Sequence, residues 1–299
     1  MKDGGMHCMY VSPKGYNSLF KTIVYDIVIM DDIRHILKPI SVYFIGGLGN
    51  QLFQAAAGYA YAKKNNRKLI LQELSHGPRP DTYYNTILYN TKQYIGTLNN
   101  GLVWKEPSFA YSPIPPEYDS IYGYFQSSKY FNDVSGEIRS LFDPNPIVKN
   151  VVAQKYKELL ASVENKVIVH VRRTDYLVGA NMPIHAVTTD NYYSSSVALM
   201  KQKFKNPEFI IFSDDLAWCE KQDLFAGATF IDEKTDYLAL HLMSQFKHYI
   251  IPNSTFAWWA VWLGTPAETV IVPDRWFGPN GPKDYQDIYE PGWTRLPCN

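Results

Sequence analysis

The chain has 299 residues, 46% of them apolar and 15% aromatic, enough to bury one large or two medium cores. Its 29 basic and 29 acidic residues cancel, which excludes the broad positive field of a nucleic-acid or anionic-membrane binder and leaves any anion to a local site. No window reaches eighteen uncharged apolar residues, and Phe256 to Leu263, the most apolar stretch, is too short to span a bilayer.

Residues 1–41 read as an N-terminal extension, with a weak strand or helix over 22–30 and a break at Pro39. They show no basic region followed by a long apolar core. A buried strand is expected over 41–45, then Gly46-Gly47-Leu48-Gly49, then a helix from 50 to about 64 with Leu52, Phe53, Ala56, Ala57 and Ala60 on one face. A strand at 68–71 completes a right-handed βαβ unit. The segment 76–116, rich in Pro, Asn and Tyr and without helical period, reads as loops and irregular structure.

A helix over 147–163 precedes a second alternating region. It comprises strands at 167–171, 208–213, 229–231, 249–251 and 269–272, with helices at 191–203, 236–246 and 254–263. This alternation implies a second, mostly parallel sheet covered by helices. The fold class is therefore α/β, with two Rossmann-like domains over 42–160 and 161–299 facing a cleft. Cys8, Cys219 and Cys298 have no metal-like spacing and read as reduced thiols of a cytoplasmic protein.

In open α/β sheets ligands bind at the carboxyl ends of strands. The strand at 167–171 ends in His170-Val171-Arg172-Arg173-Thr174-Asp175-Tyr176, and paired guanidiniums match an anion, a phosphate above all. The next strand ends in Ser213-Asp214-Asp215, whose carboxylates suit ribose hydroxyls or a base, or else open a solvated helix. Asn253-Ser254-Thr255-Phe256 follows another strand and opens a helix, where free N–H groups and the helix dipole favour a phosphate, though Asn and Ser are also ordinary caps. Two arginines, a helix N-terminus and carboxylates describe a nucleotide diphosphate site.

In the first domain, Asn50 and Gln51 put two amides at the Gly-rich turn, as sugar or phosphate ligands or as caps. Gly47-x-Gly49 and Glu73 invite a dinucleotide reading, but the third glycine position is Leu52. Of the histidines, His170 lies in the basic motif and His185 follows in the same connection. No Asp-x-Asp occurs, so no paired-carboxylate metal clamp is expected and arginines must neutralise a pyrophosphate.

Four separated motifs together resemble the α-1,2-fucosyltransferase family: Gly46 to Gln54, Gly123-Tyr124-Phe125-Gln126-Ser127-Ser128-Lys129-Tyr130-Phe131, His170 to Tyr176, and Asn253 to Trp259. The resemblance spans about residues 42 to 275. It implies a glycosyltransferase of GT-B architecture that moves L-fucose from GDP-β-L-fucose to the 2-hydroxyl of a terminal galactose, inverting the anomeric carbon, with no metal or other cofactor. On that basis Arg172 would hold the β-phosphate and stabilise the departing GDP, and Arg173 would fix the loop. Ser254 and Thr255 would contact phosphate or fucose. Asn50 and the Gly46-Gly47 backbone would close over the donor. Asp175 is the first candidate for a base, with His185 behind it.

The chain departs from the family at Ala239, where relatives carry an acidic residue suited to guanine, leaving Asp236 or Asp215 as substitutes. Thr174 stands where many relatives have glycine. Tyr83, Tyr84, Trp104, Tyr111 and the 122–131 stretch are candidates for an acceptor platform. Competing readings are peptide O-fucosylation, use of GDP-mannose, a non-catalytic nucleotide or carbohydrate module, and a dinucleotide oxidoreductase.

Overall fold

A computed structural model describes residues 38–73, 83–99, 101–185, 187–264 and 266–298. The element expected over 22–30, and Cys8, lie outside them. Two all-parallel sheets form the framework. The first comprises β1 (Ile40–Val42), β2 (Leu69–Gln72), β3 (Ile95–Gly96), β4 (Val103–Lys105) and β5 (Ser120–Tyr122), in the order β3-β2-β1-β5-β4. The second comprises β6 (Lys166–Val171), β7 (Glu208–Ser213), β8 (Thr229–Phe230), β9 (His248–Ile250), β10 (Thr269–Pro273) and β11 (Thr294–Leu296). Its order, β8-β7-β6-β9-β10-β11, is that of a complete doubly wound nucleotide-binding fold, with the switch point between β6 and β9.

Two strands, β3 and β4, lie in the segment expected to be irregular. At two and three residues they are too short to show a period of two, and only their pairing with β2 and β5 reveals them. β5 and β11 are likewise invisible to pattern. β1 starts one residue earlier than expected, where Ile40 pairs with Leu69, and stops earlier because its continuation bonds to side chains: Phe44 N–H donates to Gln72 Oε1 at 2.8 Å and Ile45 N–H to Gln54 Oε1 at 3.0 Å.

Helix α1 (Leu48–Lys64) was expected to bury one face, yet it is buried nearly all round through Gly58. It is wedged between two partners. A Cβ on Gly58 would lie 2.2 Å from Val42 Cγ2 of β1. On its other side Phe53 meets Trp258 and Trp259 at ring separations of 4.5 and 4.9 Å. The tryptophans belong to α5 (Thr255–Leu263) of the second sheet, and Phe131 stacks on Trp259 at 5.5 Å. One continuous aromatic core therefore welds the two halves along α1 and α5.

Helix α2 (Pro146–Lys155) begins with Pro146 behind an Asn145 cap that accepts from Val148 N–H at 2.8 Å. It breaks at Tyr156, short of the expected end, where Lys155 and Tyr156 both turn to Glu233. Helix α3 (Asp190–Lys203) is capped by Thr189. Helix α4 (Asp236–Met243) ends before Phe246 because Tyr249 Oη donates to the Met243 and Phe246 carbonyls, at 2.9 and 2.6 Å. Cys219 and Cys298 are buried free thiols. No helix among the described residues is long and apolar enough to cross a membrane.

Candidate functional site

Both sheets direct their switch points at one place. In the first, β1 leads into Gly46–Gly49 and β5 into Gly123–Phe131. In the second, β6 leads into His170–Tyr176 and β9 into Asn253–Phe256. Between them lies a cavity of about 760 Å³.

The amino ends of α1 and α5 meet at its wall. Their approach is so close that a Cβ on Gly49 would lie 2.6 Å from Phe256 N and 2.7 Å from Thr255 Oγ1. Asn50 joins the halves: its Oδ1 accepts from Thr255 Oγ1 at 3.1 Å and from Gln126 Nε2 at 2.9 Å. Gln126 is delivered by a tightly built strand end. Glu106 accepts from Tyr124 N–H at 2.7 Å, Phe125 N–H at 3.0 Å and Tyr130 Oη at 3.1 Å, and Phe125 takes a φ of 53°. Gly47 has nothing within 4 Å of a built Cβ, so its backbone is open to the cavity.

Arg172 reaches into the cavity from the end of β6. Its Nη2 pairs with Asp175 at 2.8 Å and its Nε with Asp214 at 3.2 Å. Burial works against its charge, but the two carboxylates outweigh burial and hold it firmly protonated. His170 beside it is buried; desolvation first, then the Arg172 guanidinium, push its pKa down to about 4. It is therefore a neutral imidazole at pH 7, and its Nδ1 has no partner among the described residues. His185 stacks on Tyr176 at 4.9 Å and is also lowered, chiefly by desolvation. The Arg172 guanidinium, poised between two carboxylates, and the two helix N-termini at the same wall are groups that can donate hydrogen bonds to an anion.

Of the residues singled out in the sequence, Gly47, Asn50, His170, Arg172, Asp175, His185, Ser213, Asp214, Ser254, Thr255 and Phe256 line this cavity. Gly46, Arg173, Asp215 and Asn253 do not. Gly46 makes the turn: its φ is 76° and a Cβ there would strike Asn50. Arg173 lies 3.7 Å over the Trp218 ring and pairs with Asp215, which caps the following helix by accepting from Trp218 N–H. Asn253 Nδ2 ties the His185 and Trp276 carbonyls at 3.0 and 2.9 Å. These four shape the loops that carry the site. Asp214, expected to face a ribose or base, accepts from Arg173 N–H and from the Thr174 N–H and hydroxyl, so it organises the arginine loop. Here Thr174 supplies a bond that glycine could not.

Leu48, Gly49, Tyr83, Tyr176, Asn181, Phe212, Ile231, Glu233 and Lys234 also line the cavity, with Asp236 and Ala239. Ile231, Glu233 and Lys234 follow β8, so the strand-end rule that located the arginines reaches them too, whereas Asp236 is already singled out from the sequence as a substitute for the acidic residue missing at Ala239. Among the aromatic residues considered for an acceptor, Tyr84 and Trp104 are core, whereas Tyr122 and Tyr124 are exposed. Among the described residues no three His, Cys, Asp or Glu side chains cluster as metal ligands.

A family model described as glycosyl transferase family 11 matches residues 42–297. An α-1,2-colitosyltransferase of Escherichia coli is 31% identical over 78% of this chain and 90% of its own length. A galactoside α-(1,2)-fucosyltransferase 2 of Hylobates lar is 26% identical over 85% of this chain and 76% of its own. Among solved structures, fucosyltransferase NodZ from Bradyrhizobium aligns with 76% of this chain and 93% of its own at a TM-score of 0.47 and 13% identity.

Proposed function

Because this chain belongs to glycosyl transferase family 11, the α-1,2-fucosyltransferase family, we propose that it transfers L-fucose from GDP-β-L-fucose to the 2-hydroxyl of a terminal galactose, with inversion and without a metal. The observation that carries this reading is the convergence of Arg172 and the amino ends of α1 and α5 on one cavity.

The chemistry follows from charge. As the bond from the anomeric carbon to the β-phosphate oxygen breaks, its electron pair stays on GDP and the sugar becomes oxocarbenium-like. Arg172, held by Asp175 and Asp214, gains interaction with that growing charge and so favours the transition state over the ground state. The galactose 2-hydroxyl attacks the opposite face, and its proton passes to a base. Asp175 and His185 both line the cavity, but the Asp175 carboxylate is engaged by Arg172 at 2.8 Å, whereas His185 is a lowered, neutral imidazole able to accept a proton. This favours His185, with Asp175 as the group that orients the guanidinium.

A second reading, colitosyl transfer to a 2-hydroxyl, is favoured by the 31% identity to the colitosyltransferase. The test is product formation from GDP-fucose and lactose in the presence of EDTA, with GDP-colitose, GDP-mannose and UDP-galactose in parallel, then linkage and anomeric analysis. A 2-linked α-fucosyl product is expected. Preference for GDP-colitose would replace the donor, and abolition by EDTA would refute metal independence.

A further inference from the structure

We propose that Asp236, oriented by Tyr83 from the other half of the molecule, recognises the guanine base of the donor; this rests on the GDP-sugar reading above. With the diphosphate at Arg172 and the two helix N-termini, the rest of a nucleotide must run outward over β7 and β8, as it does in doubly wound sheets. That arm of the cavity is walled by Phe212, Ile231, Glu233, Asp236 and Ala239.

Among the described residues four carboxylates line the cavity, and their bonds separate them. Asp214 and Asp175 hold Arg172. Glu233 accepts from Lys155 Nζ at 2.7 Å, Tyr156 Oη at 2.9 Å and Thr235 N–H at 2.9 Å, so a cation already compensates it. Asp236 has neutral partners only: Oδ2 accepts from Tyr83 Oη and Oδ1 from Tyr237 N–H at 2.8 Å. Among the described residues no basic side chain is paired with it. Each oxygen keeps a lone pair.

Guanine offers two adjacent donors, N1–H and the 2-amino group, which one carboxylate can accept together. Adenine presents an acceptor at N1, and hypoxanthine lacks the amino group. Ala239 lies one turn along the same helix face, so its methyl leaves the arm open beside Asp236. Tyr83 precedes Asp236 by 153 positions and belongs to the segment after β2, so the selectivity filter is assembled only when both halves are docked.

Calorimetric titration of GDP, IDP and ADP into the wild type, Asp236→Ala, Asp236→Asn and Tyr83→Phe tests this. The wild type should bind GDP about tenfold more tightly than IDP, and ADP more weakly still. Asp236→Ala should bring GDP and IDP together while leaving ADP unchanged or tighter, which also reports a folded phosphate site. Tyr83→Phe should weaken GDP with ADP unchanged, and Asp236→Asn should fall between wild type and Asp236→Ala. A wild type that prefers GDP and an Asp236→Ala variant that keeps that preference would overturn the assignment and leave the GDP-sugar reading standing. A wild type with no preference for GDP would overturn both.

Discussion

Replacing Gly49 with alanine tests the junction on which the site depends. The new methyl would lie 2.6 Å from both Phe256 N and Thr255 C, and 2.7 Å from Thr255 Oγ1. Bringing Phe256 N to ordinary contact at 3.4 Å requires 3.4 − 2.6 = 0.8 Å of movement, and two of the three obstructing atoms are backbone. The aromatic packing of Phe53 against Trp258 and Trp259 resists that shift. Overpacking of this kind costs about 1–3 kcal/mol, a fall in Tm of roughly 2–4 °C for each kcal/mol in a protein of this size. The larger effect should be on turnover, because the displaced segment carries Ser254 and Thr255, and a displacement near 1 Å in a catalytic constellation costs on the order of 10²-fold. Gly47→Ala is the control for stability, since its Cβ meets nothing within 4 Å and its φ is −78°. Differential scanning calorimetry and initial rates on Gly49→Ala and Gly47→Ala decide the matter. A Gly49→Ala enzyme with wild-type Tm and wild-type rate would refute the close-approach argument.

Arg172→Ala should lower kcat by about 10²-fold or more by removing charge stabilisation at the departing phosphate, and an unchanged rate in the folded variant would remove Arg172 from the mechanism. Asp119→Ala should destabilise the first sheet by about 3–5 kcal/mol in urea titration, because Arg67, whose pair at 2.7 Å is almost wholly buried, would keep its backbone carbonyl acceptors but lose this counter-charge. His170 is lowered to about 4, so between its ordinary 6.5 and 4 the unfolded chain binds a proton that the folded chain refuses. The stability it contributes is full above pH 6.5 and lost as pH falls towards 4, up to about 3 kcal/mol, and His170→Gln should flatten this slope in ligand-free denaturation. If acid sensitivity is the same in both proteins, His170 is not its source.

Much of the site was legible because it sits where strands end. A continuous apolar run such as Val167 to Val171 declares a strand buried on both faces, and whatever polar residues follow it must lie at the sheet's carboxyl edge. The place of Arg172, Ser254 and Thr255 at that edge follows from this rule, and the α/β class and the second sheet follow from the alternation of strands and helices. β3, β4, β5 and β11 were not legible, because two or three residues carry no period and are strands only through their neighbours. The sequence alone determined which residue types were available at the strand ends, since that rests on local pattern and chemistry. Tertiary structure decided which of them face the cavity. Arg173 is drawn away by Trp218 and Asp215, Asp214 is consumed by the loop it folds, and Tyr83 arrives beside Asp236 from 153 residues away. Side-chain direction and long-range partnership depend on packing between segments distant in the chain, and no local period records it.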